Sequence, residues 1–204
     1  MIRIVDYGVG NIQAFMTMFK RLGITAERAL VAADLADASR LILPGVGHFD
    51  HAMQRLNDSG MRPALEDLVL GRRVSVVGIC VGMQLLADRG LEHGETPGLG
   101  WVPGEVRLIE PTDPAIKVPH MGWNDVMPMP HRDGAQLVEQ GEAYFLHSYH
   151  FAVAEGRDVA AMTDHGGGLV AAVARDNILG VQFHPEKSQA YGLGLLARFL
   201  EWKP

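Results

Sequence analysis

Val74-Ser75-Val76-Val77-Gly78-Ile79-Cys80-Val81-Gly82-Met83-Gln84-Leu85-Leu86 carries a short apolar run through Gly-x-Cys-x-Gly into a segment of helical character. This is the pattern of a nucleophile held on a sharp strand-to-helix turn, with cysteine as the reactive residue. Such a turn needs neighbours without side chains two positions to either side, because a Cβ there would collide with the adjoining strand and helix. Gly78 and Gly82 meet that need. Cys80 is then expected at a helix N-terminus, where unpaired N–H groups and the positive end of the dipole favour a thiolate. The same turn aims the Val81 N–H at an oxyanion. On this stretch alone the alternative is a buried cysteine in a Gly-rich turn, since cysteine is among the most buried residue types.

A second signal stands about a hundred residues downstream. Gly180-Val181-Gln182-Phe183-His184-Pro185-Glu186 reads as an apolar strand ending in His-Pro-Glu. A cysteine nucleophile, a histidine to take its proton and a carboxylate to orient the imidazole complete a triad of Cys80, His184 and Glu186.

A chain of 204 residues supports an ample core without disulfides, and one domain over residues 1–204 is expected. The hydrophobic share of 48 % and charged share of 21 % are ordinary for a globular protein. A formal net charge of -6 without a Lys/Arg cluster argues against nucleic-acid binding. The single cysteine rules out an intramolecular disulfide and suits a reducing compartment. Met1 to Tyr7 lacks the apolar stretch of a signal peptide, and no run approaches a membrane span. A cytoplasmic protein without membrane association is expected.

The chain order predicts an α/β fold. Ile2 to Tyr7 reads as a strand and Gly8-Val9-Gly10-Asn11 as a turn. A helix follows, with Ile12, Phe15, Met16, Phe19 and Leu22 on its core face, Asn11 as N-cap and Gly23 as its stop. A strand at Ile24 to Leu30, a short helix near Asp34 to Ala38 and a strand at Arg40 to Leu43 continue a βα alternation, which predicts a mostly parallel central sheet flanked by helices. The third strand runs into Pro44-Gly45-Val46-Gly47-His48-Phe49, at a carboxyl end where such sheets bind ligands. An N–H of Val46 or Gly47 there is placed to complete an oxyanion hole with that of Val81. His48 and His51 have no cysteine or carboxylate cluster beside them in sequence, so neither a metal nor a cofactor is expected. Residues 52 to 71 read as helical with a break around Gly60 and Pro63. From Gly90 to Gly141 the Gly- and Pro-rich composition predicts an additional antiparallel layer. There, Val118-Pro119-His120-Met121-Gly122-Trp123-Asn124 reads as an exposed turn that is either anchored by its Trp on the core or used as a partner surface. Strands near Ala143 to Leu146, His150 to Val153, Val159 to Thr163, Leu169 to Ala174 and Ile178 to Phe183 suit an antiparallel meander. A last helix begins at Ser188.

With these residues in place the chain resembles the class I, triad-type glutamine amidotransferases. The resemblance rests on Asp6 to Asn11, Pro44 to Gly47, Gly78 to Leu86, Val118 to Asn124, Tyr144 to Tyr149 and Gln182 to Ser188, and so spans nearly the whole chain. The Cys and His-Pro-Glu motifs are shared by many amidotransferases, whereas the Pro-His-Met-Gly-Trp-Asn and His-Ser-Tyr segments are similar to the glutaminase subunits that pair with a synthase of histidine biosynthesis. The resemblance implies a flavodoxin-like fold in which Cys80 attacks the glutamine side-chain carbonyl. His184 acts as base and then as acid to the leaving ammonia, and Glu186 orients His184. It further implies that Gly45, Gly47, Gln84, Glu92, Ser148 and Tyr149 hold glutamine. The partner it implies is a (β/α)8-barrel synthase in a heterodimer, with Asn11, Trp123, Asn124, Tyr144 and Lys187 at the interface.

Four positions depart from the family pattern. Val81 stands for the usual Leu, His48 for a small residue and His150 for an aromatic one, and Ala87-Asp88-Arg89-Gly90 lacks the usual acidic run before Glu92. The catalytic motifs leave open a paralogous glutaminase that feeds a surface-sugar synthase. A non-catalytic scaffold subunit and a stand-alone cysteine hydrolase are the readings from other classes.

Overall fold

The N-terminal half builds the βα alternation for the reasons its sequence carries. In the computed structural model, which describes residues 1–130 and 134–204, β1 (Ile2–Val5) leads to α1 (Ile12–Arg21), β2 (Ala26–Ala29) and β3 (Arg40–Gly45). Next come α2 (Phe49–Asp58), α3 (Arg62–Glu66) and β4 (Ser75–Cys80). Asn11 caps α1 by accepting from the Ala14 N–H, and Ile12, Phe15, Met18 and Phe19 form its buried face. The short helix expected near Asp34 is a 3₁₀ turn at Ala32–Leu35. The Asp34 carboxylate takes the Leu30 and Val31 N–H groups there, a local bond that favours a turn over a helix. The break at Gly60 falls between α2 and α3, with Gly60 at φ 69°.

Beyond β4 the helix of the elbow is one turn, α4 (Val81–Gln84), shorter than the sequence suggests. The strands β5 (Arg89–Gly90), β6 (Thr96–Pro97), β7 (Gly104–Leu108), β8 (His120–Pro128), β9 (Gly141–His147), β10 (Tyr149–Val153), β11 (Val159–Asp164), β12 (Gly168–Arg175) and β13 (Ile178–Val181) follow, and α5 (Gln189–Glu201) closes the chain.

The described strands form a large sheet in the order β2-β1-β3-β4-β13-β12-β11-β8-β9 and a small one in the order β10-β7-β5-β6. Neighbours from β2 to β13 run parallel, and from β13 to β9 antiparallel. The expected antiparallel layer is therefore divided, one part extending the main sheet and the other lying in the small sheet, where β5 and β7 pair parallel. β10, placed by the sequence in one meander with its neighbours, instead pairs with β7. Val118 to Asn124 is no turn: from His120 onward it is strand β8, paired with β9 from His120 opposite His147 to Val126 opposite Gly141. Period-two alternation then buries His120 and exposes Met121 and Trp123. Every residue of β4, and all of β3 but Arg40, is buried, as parallel strands covered on both faces require. β3, β4 and β13 lie side by side, and their carboxyl ends deliver Gly45, Cys80 and the segment leading to His184 to one place.

Candidate active site

Cys80 ends β4 at φ 55°, ψ -113°, a backbone conformation rare for a residue with a side chain. Strain of this kind persists only where the surroundings enforce it. Here they do. A Cβ on Gly78 would lie 2.6 Å from the Gly82 carbonyl oxygen, and one on Gly82 would strike the Leu43 carbonyl of the neighbouring strand. Gly45 pairs in register with Cys80, and a Cβ on it would meet the Gly82 nitrogen. The glycines thus let three backbone segments close around the thiol.

His184 reaches the thiol from the far side. Its backbone N–H donates to the Tyr144 carbonyl at 2.8 Å. The Ser188 hydroxyl donates to the His184 carbonyl at 2.6 Å and accepts the Tyr144 N–H at 3.0 Å, so β9 and the His-Pro-Glu turn are tied by one buried side chain. The imidazole Nδ1 stands 2.8 Å from Glu186 Oε1, with both side chains almost wholly buried. Burial by itself pushes the His184 pKa down; the adjacent Cys80 sulfur and then the Glu186 carboxylate outweigh it and raise it to about 10. An imidazole with that affinity is an effective acceptor for the thiol proton.

A cavity of about 310 Å³ opens on this pair, lined by Val46, Gly47, Val81, Gln84, Glu92, Ser148 and Tyr149 among others. Two of the glutamine-holding side chains named from sequence, Gln84 and Glu92, are more constrained than expected. Gln84 donates its amide to the Tyr149 carbonyl and to Gln182 Oε1, both at 3.0 Å, so its carbonyl oxygen is what remains for a ligand. Glu92 Oε1 stands 2.6 Å from His48 Nδ1, and Oε2 accepts the Phe49 N–H at 2.8 Å. The Glu92 contact raises the His48 pKa. The unusual residue after the Pro-Gly-Val-Gly loop is thus a direct partner of the carboxylate behind it.

Four further residues shape the site. Gln182, buried beside the sulfur, directs its amide at Cys80 Sγ from 3.7 Å. Its signal was a polar residue in an apolar strand. The Tyr7 hydroxyl donates to the Pro44 carbonyl at 2.7 Å and braces the loop that carries Val46 and Gly47. His120 and His147 form a directional chain under β8 and β9. The Tyr149 carbonyl only accepts, so His147 Nδ1 carries the proton of their 2.9 Å bond. His147 Nε2 then accepts from His120 Nδ1 at 3.0 Å, and His120 Nε2 accepts from the Asn124 amide at 3.0 Å. Burial keeps both rings neutral, lowering His120 to about 4 and His147 to about 3. One series of bonds therefore runs from Asn124 to the backbone of Tyr149 at the pocket.

Of the residues expected at a partner surface, Trp123 is 48 % exposed and packs edge-on against Tyr144, while Lys187 Nζ sits 5.4 Å from the Tyr144 ring centre. Met121 and Leu146, opposite each other in the ladder, extend this face at 64 % and 38 % exposure. Asn11 is exposed at the start of α1. Asn124 differs, since its amide is taken up by His120 and the Asp164 carbonyl.

Known proteins are similar to this chain in sequence and in fold. The chain is 49 % identical over 207 residues to the imidazole glycerol phosphate synthase subunit HisH of Zymomonas mobilis, covering 100 % of this chain and 96 % of that one. It is 51 % identical to the protein of the same name from Bdellovibrio bacteriovorus, over 98 % and 100 % of the two chains. Among solved structures, a glutamine amidotransferase superposes with a TM-score of 0.77 at 20 % identity, over 98 % of this chain and 97 % of that one, a likeness of fold. The family described as glutamine amidotransferase class-I matches residues 3–201, and the chain belongs to that family.

Proposed function

We propose that the chain, acting as one domain, is the glutaminase subunit of an imidazole glycerol phosphate synthase, hydrolysing glutamine and passing the ammonia to a (β/α)8-barrel synthase subunit in histidine biosynthesis. The observation that carries this is the strained Cys80 facing His184, which is itself paired with Glu186, with Cys80 and His184 lining one pocket. The full-length similarity to proteins named as subunits of that synthase supports both the pathway and the existence of a partner.

Cys80 Sγ, its proton passed to His184 Nε2, attacks the glutamine side-chain carbonyl carbon. The resulting oxyanion is held by the N–H of Val81 and by one from Val46 or Gly47. His184 returns the proton to the nitrogen as the C–N bond breaks, releasing ammonia and leaving a thioester. Water, deprotonated by His184, then cleaves the thioester to glutamate and restores the thiol. Glu92 and the Gln84 carbonyl are acceptors for the α-ammonium, and Ser148 with the Gly45–Gly47 backbone supplies donors for the α-carboxylate. The exposed face of Trp123, Tyr144 and Lys187 suits the synthase subunit, beside which ammonia is delivered before it takes up a proton and loses its nucleophilicity. A catalytic thiol also fits the reducing cytoplasm. No helix among the described residues is long and apolar enough to cross a membrane.

The deciding experiment measures glutamate release by the chain alone and with a barrel synthase subunit and its ribulosyl-formimino nucleotide substrate. Strong stimulation by that pair is expected, and hydrolysis indifferent to it would reassign the partner. In the complex, Cys80→Ala should abolish glutamine-dependent synthesis and leave ammonia-dependent synthesis intact. Equal loss of both would remove the division of labour.

A further inference from the structure

The rim of the glutamine pocket holds a cluster of which the proposed reaction uses Glu92 alone. His93 is brought beside His48, with ring centres 4.8 Å apart, and His48 and Glu92 both line the pocket. One donor atom from each of His48, Glu92 and His93 lies within 4.8 Å of the others. His51, the sequence neighbour of His48, is not part of this group. The imidazoles are 61 % and 55 % exposed and the Glu92 side chain 10 %, so an ion has an open route to ligands anchored from behind.

Two contacts organise the group for coordination. His93 Nδ1 stands 3.2 Å from Asp50 Oδ1. A ring N–H given to a carboxylate fixes the tautomer and leaves Nε2 with its lone pair outward, the support that metal-ligating histidines characteristically have. The Phe49 N–H holds Glu92 Oε2 and leaves Oε1 facing His48. Two imidazoles and one carboxylate form the ligand set of open zinc sites, in which a fourth position takes water or a ligand. Hard ions that demand oxygen donors suit it poorly.

We propose that His48, Glu92 and His93, with Asp50 behind His93, bind a divalent transition ion of the zinc class at the entrance to the glutamine pocket. Tetrahedral zinc with bonds of about 2.0–2.1 Å places donor atoms about 3.3 Å apart. Exposed imidazoles reach that spacing by side-chain rotation, and the His48–Glu92 pair opens slightly to admit the ion. The bound ion takes the Glu92 oxygen and competes with the α-ammonium of glutamine. This consequence rests on the assignment of Glu92 to glutamine under the proposed function, whereas the site itself does not.

The test is calorimetric titration of Zn²⁺ into the full chain carrying Cys80→Ala, which removes the thiol as an alternative ligand. Binding at one site is expected, weakened at least tenfold by adding either His48→Ala or His93→Ala and about tenfold by Asp50→Asn, with Mg²⁺ giving no heat. Absence of binding, or binding indifferent to both histidines, overturns the site. In the chain with Cys80 intact, micromolar Zn²⁺ should raise the glutamine KM with kcat unchanged, and His93→Ala should remove that effect while leaving the metal-free rate as it was. Histidine-dependent binding with no change in KM keeps the site and overturns its competition with glutamine, and with it the role given to Glu92.

Discussion

His184 and His120 are both buried imidazoles beside a proline, and burial pushes both towards the neutral form, yet they end at opposite extremes. His184 faces the Glu186 carboxylate on one side and the Cys80 sulfur on the other, and its pKa is raised to about 10. His120 lies between the rings of Phe145 and His165, bonded to His147 and the Asn124 amide, and its pKa falls to about 4, through burial first and His165 second. Exposure of the two residues is nearly the same, 4 % and 3 %. What separates a proton carrier from a fixed neutral strut is the charge of the neighbours, since in a poorly solvated site a carboxylate or thiolate outweighs desolvation and another imidazole adds to it.

The largest effect comes from deleting the carrier. His184→Asn should lower glutamine turnover by about 10⁴-fold or more while the chain still folds, read as glutamate release in the saturated complex. Wild-type turnover would remove His184 from the reaction. Glu186→Gln makes His184 resemble His120 by taking away its carboxylate. Turnover should fall roughly a hundredfold less than in His184→Asn, and the His184 titration followed by NMR should move down towards neutrality. A titration left near 10 would assign the shift to Cys80 alone.

Acid acts on the struts. Below pH 6.5 the unfolded chain protonates His120 and His147, while the folded chain resists until about pH 4 and about pH 3. The unfolded state therefore binds more protons in that window, and stability declines as pH falls, by about 1.4 kcal/mol per pH unit for each histidine. Denaturant midpoints from pH 7 to 4.5 should show this decline, about half as steep in His120→Asn. At the other end, His184 holds a proton that the unfolded chain has lost above pH 6.5, so its contribution fades as pH rises towards about 10.

A smaller perturbation sharpens the contrast from the opposite side. His165→Glu offers His120 the carboxylate it lacks, and the His120 titration should rise by about one unit or more; no change would show that burial alone governs it. Ser188→Ala leaves the Tyr144 N–H buried without its acceptor and should cost about 1–3 kcal/mol of stability, with turnover reduced less than by Glu186→Gln, since the imidazole and its carboxylate remain.

How much of the site the sequence discloses depends on whether the chemistry is local. The Gly-x-Cys-x-Gly turn is legible because its pattern lies within five residues; Gly78 admits the Gly82 carbonyl inside that span, while Gly82 admits the Leu43 carbonyl of the neighbouring strand. His-Pro-Glu is legible because histidine and its orienting carboxylate sit two residues apart. The brace from Ser188 to β9 and the bond from Tyr7 to Pro44 are not, because each joins residues tens of positions apart through sheet register. Strand β8 is misread as a turn because Pro119 and Gly122 are turn residues by propensity, and its pairing with β9 overrides them.

By itself the sequence determined the α/β alternation, the nucleophile on its turn, the histidine and carboxylate to serve it, and the family through motifs spread along the whole chain. The first three follow from spacing that the backbone enforces locally, and the family rests on resemblance. The tertiary structure decided which histidines carry protons and which do not, that Asn124 turns inward to His120, and that His48 meets Glu92 and His93 instead of His51. Those outcomes depend on burial and on the charge of neighbours distant in sequence, quantities that exist only once the strands are paired.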